Sequence, residues 1–72
     1  MTRSQIMELL LLELSDGEAH SVEPVINSVL ENNGYLFESQ VRSALLGLCR
    51  MNKVELTDEF KVRIPGEGYS TL

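Results

Sequence analysis

Between Arg50 and Val54 the spacing of apolar residues changes from helical to alternating, with only Met51, Asn52 and Lys53 in between. Before the break Val41, Ala44, Leu45 and Leu48 recur at three- and four-residue steps. This puts them on one face of a helix over about Ser39 to Met51, capped by Glu38 or Ser39. After the break Val54, Leu56, Val62 and Ile64 alternate with Glu55, Lys61 and Arg63, and "TDEF" (57–60) supplies the turn between two short strands. A helix joined so abruptly to a hairpin must pack with it as one unit. That junction takes a third of a 72-residue chain.

The remaining two thirds have to complete the core. A chain of this length buries only about 60% of its unfolded surface, which leaves room for one domain, placed at residues 1–66 with 67–72 as a C-terminal tail. From Arg3 to Leu14, Ile6, Met7, Leu10, Leu11 and Leu14 share a helical face, and Leu9 and Leu12 fall outside it. Asp16-Gly17 makes a turn and Ala19 to Val22 a short extended piece. Pro24 suits a first helical position, Val25, Ile26, Val29 and Leu30 continue that second helix, and Gly34 is the expected left-handed residue that ends it. The expected order is helix, short strand, helix, helix, strand, strand, an α+β chain.

That order, with two stretches of sequence, resembles the winged helix-turn-helix family. "LLLELSDGEAHSVEPVINSVL" (10–30) is similar to the opening of many winged-helix domains, including the N-terminal domain of Mrr-type restriction endonucleases. "SQVRSALLGLCRMNKVEL" (39–56) resembles the recognition helix and first wing strand of bacterial and archaeal regulators, with Lys53 where such regulators often carry glycine. The resemblance covers roughly residues 3 to 64 and implies three helices, a short strand and a C-terminal two-stranded wing. It also implies a function class: a small transcriptional regulator that reads double-stranded DNA with the helix over 39–51. Of the outward residues Gln40, Arg42, Ser43, Leu46, Gly47 and Arg50, the first-turn residues Gln40, Arg42 and Ser43 would meet base edges, and Ser39 at the helix start is counted among the DNA-binding residues with them. Arg50, Lys53, Lys61 and Arg63 would bind phosphates.

Charge pulls the other way. The net charge is −5, but unevenly spread: residues 1 to 38 hold one base against seven acids, and residues 39 to 66 five bases against three acids. Five cations are a thin footprint for a polyanion, so DNA binding calls for a homodimer, and Leu9 with Leu12 is the candidate dimer surface. The same fold also serves protein-only assemblies, so the alternative is an interaction module that docks a protein through its acidic face or its leucine-rich first helix.

Other chemistry is weakly signalled. Asp16, Glu18 and His20 lack a second ligand cluster, so no metal site is expected. Ser15, Asp16, His20 and Ser21 hold the letters of a hydrolase triad without a fold large enough to shape an oxyanion site. Cys49, the one cysteine, excludes an internal disulfide and suits packing. No glycine-rich phosphate loop is present, no enzyme activity or cofactor is expected, and no stretch is apolar enough for a membrane span. The expected location is the cytoplasm.

Overall fold

The structure, a computed structural model, describes residues 1–65, so the segment expected to form a tail lies outside the described residues. It is α+β, with three helices and a small three-stranded antiparallel sheet, a layout compatible with a winged helix. The order is α1 (Arg3–Glu13), β1 (His20–Ser21), α2 (Val22–Asn32), α3 (Glu38–Arg50), β2 (Glu55–Leu56) and β3 (Lys61–Arg63). In the sheet β3 lies between β1 and β2, with His20 opposite Val62 and Leu56 opposite Val62 on its other side.

Each helix begins for a local reason. At α1 the Thr2 hydroxyl accepts the Gln5 N–H at 3.2 Å, and the Gln5 side chain accepts the Thr2 N–H at 2.7 Å, satisfying two donors that a helix start leaves open. At α3 the Gln40 side chain accepts the Phe37 N–H at 2.8 Å. Phe37 is therefore the cap residue, and Glu38 and Ser39 are already helical. Helix α2 starts at Val22, so Pro24 sits third rather than first, a position whose N–H has no intrahelical partner in any residue.

Two terminators differ from expectation. Helix α2 ends at Asn33, whose side chain donates to the Val29 carbonyl at 3.0 Å, and Gly34 is not left-handed. After α3 it is Asn52 that takes φ 61°, which brings the Lys53 N–H onto the Leu48 carbonyl at 3.0 Å and swings Val54 into the core. Asparagine tolerates the left-handed region, so the turn needs no glycine at position 53.

The core takes Ile6 and Leu10 from α1 and Leu14 just after it, Val22, Val25, Ile26 and Val29 from α2, Leu36 from the loop before α3, Val41, Ala44, Leu45 and Leu48 from α3, and Val54 and Val62 from the hairpin. Leu9 is half-buried and packs against this cluster, so of the two leucines expected on the outside of α1 only Leu12 is exposed. Gly47, expected to face outward, is buried because α1 crosses it closely. A Cβ there would meet the Met7 Cε at 2.6 Å and an Arg3 Nη at 2.7 Å, and that Arg3 guanidinium donates to the Ser43 carbonyl at 3.1 Å. Leu56, expected in the core, is exposed.

Candidate interaction surface

Helical spacing puts Ser39, Arg42, Ser43, Leu46 and Arg50 on one outward stripe of α3, with Gln40 at its edge. Ser39, Gln40, Ser43 and Arg50 are exposed, as a reading helix requires. The centre of the stripe, however, is Leu46, 59% exposed. Its neighbours across the gap to the hairpin are Leu56 and Phe60, 52% and 65% exposed, and together with Val22, Ile26, Leu45, Cys49 and Val62 they line a groove of about 150 Å³. A cavity of that size holds a benzene ring, so the groove has room for one large apolar side chain.

Phe60 is held there at a backbone cost. Its φ of 62° is in the left-handed region, which a bulky residue rarely adopts. The turn that imposes it is closed by the Thr57 N–H donating to the Lys61 carbonyl at 2.7 Å and the Phe60 N–H to the Thr57 carbonyl at 3.0 Å. The Thr57 hydroxyl also accepts the Lys61 N–H at 3.1 Å. Asn52, the other non-glycine residue with positive φ among the described residues, is of a type that suits the conformation.

The cations expected to meet DNA are largely engaged. Arg42 donates to Glu23 at 2.5 Å and, through Nε, to Glu38 at 2.7 Å, so its fork is filled by two carboxylates from two helices. Those carboxylates push its guanidinium still further up, and it stays cationic. Arg63 pairs with its cross-strand neighbour Glu55, and Lys61 lies 4.0 Å from Glu59. Among the described residues only Arg50 and Lys53 of the eight expected DNA contacts are cations with no carboxylate at salt-bridge distance. Strand alternation also separates the sets. Leu56, Phe60 and Val62 face the groove beside α3, so Lys61 and Arg63 fall on the opposite face of the hairpin.

Elsewhere the structure offers little chemistry. The His20 imidazole contacts both Asp16 carboxylate oxygens at 3.0 Å, and Asp16 also accepts the Glu18 N–H at 2.9 Å. These bonds, the histidine's first, hold the Asp16 carboxyl below its usual range. No group of residues with metal-ligand spacing occurs among the described residues. Burial pushes the Cys49 thiol up, which disfavours the reactive thiolate. No helix among the described residues is long and apolar enough to cross a membrane. Comparison with family models, with curated proteins and with solved structures finds no match to this chain.

Two features of this surface were not read from the sequence, the apolar groove and the left-handed Phe60. Leu46 on an otherwise polar stripe was the available signal for the first.

Proposed function

We propose that the chain is a winged-helix protein-interaction module, with α3 as the helix of the reading position and β2–β3 as its wing, and that it docks a partner through the groove between them. The observation that carries this reading is the groove itself: where DNA would lie, the surface is apolar and its arginine is held by two glutamates. A polyanion would have to break those pairs or pass over them. An apolar partner side chain would instead bury Leu46, Leu56 and Phe60, surface that is unfavourable in water.

The test is selection of a random peptide library displayed on phage against immobilised wild-type protein and against a Leu46→Ser/Phe60→Ser variant. The expected result is a set of clones that binds wild type and loses the variant. Absence of any groove-dependent clone would sink the reading.

A second reading, a DNA-binding homodimer, is favoured by one observation. Arg50 and Lys53 stand exposed at the end of α3, beside a stripe that also presents Ser39 and Ser43. Two available cations per chain predict a shallow salt dependence, roughly one unit of slope for each phosphate neutralised. Duplex DNA titrated at two salt concentrations against wild type and Arg50→Ala/Lys53→Ala decides between the readings. Binding that the double replacement abolishes would move the assignment to DNA.

A further inference from the structure

We infer that β2 is a self-association edge: two copies of this chain pair antiparallel along it, Leu56 opposite the second copy's Leu56, and join their sheets into one of six strands. The contact shares only Leu56 with the α3–hairpin groove, so it stands independently of what the groove docks.

Backbone parity carries the inference. Hydrogen-bonded and non-bonded pairs alternate along an antiparallel ladder. The Thr57 N–H donates to the Lys61 carbonyl at 2.7 Å, which makes Thr57–Lys61 a bonded pair and the next pair, Leu56–Val62, a non-bonded one. The Leu56 N–H and carbonyl therefore point away from β3, to the outer edge of the sheet. No turn or loop bond among the described residues takes up either group. An open donor and acceptor on one edge residue form a template for another strand. At the opposite edge β1 runs directly into α2, which leaves little extended chain to pair.

Charge along the edge identifies the second strand as β2 of another copy. Centred on Leu56, the antiparallel register sets Glu55 opposite Thr57, Val54 opposite Asp58 and Lys53 opposite Glu59. No like charges face each other. Among the described residues Lys53 has no carboxylate and Asp58 no cation at salt-bridge distance, and Glu59 has Lys61 at 4.0 Å. Lys53, Asp58 and Glu59 are all exposed. Pairing brings an unpaired ammonium to an acidic hairpin tip twice, once at each end of the contact.

Leu56, more than half exposed in one chain, meets its symmetry mate at the centre. Facing residues point to the same side of a sheet, so the two grooves open on one face of the dimer. The net charge of −5 on each copy opposes association at long range and the paired edge is short, which makes the dimer a weak one.

Sedimentation of the wild-type chain is expected to show a dimer with a dissociation constant on the order of 100 μM. Leu56→Pro deletes the outward N–H, which β3 does not use, so the hairpin should persist by circular dichroism while association falls by at least about 10-fold. Lys53→Glu places like charges at both ends, as does Asp58→Lys/Glu59→Lys, and each variant alone should associate about 10-fold more weakly than wild type. An equimolar mixture of the two restores opposite charges at both ends and should recover association as a heterodimer.

A wild type that stays monomeric up to about 1 mM would overturn the inference. A mixture that associates no better than either charge variant alone would do the same, as would a dimer that a folded Leu56→Pro leaves intact. If Leu56→Pro does not fold, the charge exchange decides.

Discussion

The outer side of α1 and the face shared by α3 and the hairpin exchange the roles that their sequences suggest. Helix α1 has leucines all around it, yet packing takes up nearly all of them: Leu9 and Leu11 are half-buried against the core and only Leu12 stands exposed. Helix α3 reads as amphipathic with an outside that is polar and basic apart from Leu46 and Gly47, yet Leu46, Leu56 and Phe60 gather there and its arginine is bridged to glutamates. The difference teaches that in a domain this small, surplus apolar residues next to the core are absorbed by it. Those next to a two-residue strand are not, because the hairpin has too little width to cover them.

The comparison breaks first if the two helices do not share one core. Leu10 on α1 and Leu48 on α3 are fully buried, so truncating either to Ala should cost about 2 to 5 kcal/mol by lost transfer and cavity formation. A domain of this length has roughly 4 to 10 kcal/mol in all, so both variants should be close to unfolding in chemical denaturation. If one of the two were nearly neutral, α1 and α3 would not be parts of the same cooperative unit.

The next measurement asks whether the leucines of α1 are absorbed as described. Leu9→Ser should cost about 1 to 2 kcal/mol, because a partly buried apolar contact is lost, whereas Leu12→Ser should stay within about 0.5 kcal/mol of wild type. Urea titration of the two variants side by side reads the difference directly. Equal costs would mean that α1 is rotated from the orientation described, and equal small costs would restore Leu9 and Leu12 as a joint surface for self-association.

On the other face the sharpest change is Phe60→Gly. Removing the side chain from a left-handed position should relieve strain, and the exposed ring contributes little to folding, so the variant should be more stable by up to about 1 kcal/mol. The same replacement should weaken capture by groove-dependent peptides. A loss of stability would show that the ring is part of the core and that the groove is not a surface held open for a partner.

What could be read from the sequence followed from period. Val41, Ala44, Leu45 and Leu48 were placed inward by spacing alone, and they are buried. The change of period after Arg50 correctly located the hairpin, whose strands are Glu55–Leu56 and Lys61–Arg63. Boundaries were harder where several residues could do one job. Pro24 is tolerated anywhere in the first turn, and Asn33 ended α2 before Gly34 was needed. The surface was least legible, since charges pair across the fold. Glu38 and Arg42 are four apart on one helix and visible as a pair, but Glu23, nineteen residues away, meets Arg42 only once α2 packs against α3. Glu55 and Arg63 become neighbours only when the hairpin register is known. Residue counts of charge therefore overstated how many cations the α3 face has available.

The smallest effect concerns the acidic stretch that follows α1, where charge stabilises a loop and lines no groove. Asp16 accepts from His20 and from the Glu18 N–H, and these bonds hold its carboxyl below its ordinary value of 3.8. A carboxyl depressed in the folded state binds its proton less readily there than in the unfolded chain. The stability it contributes is thus fully present above about pH 4 and is lost as pH falls through the lower, folded-state value. The test is the gap between the urea midpoints of wild type and Asp16→Asn, which cancels the other carboxylates common to both. That gap should favour wild type from pH 5 upward, narrow on acidification below the ordinary carboxylate range, and narrow also with added salt, because Asp16 is exposed. A gap that stays constant down to the acid limit would show that the Asp16–His20 contact does not hold the loop between α1 and β1. The β1 strand would then be placed by its pairing with β3 alone.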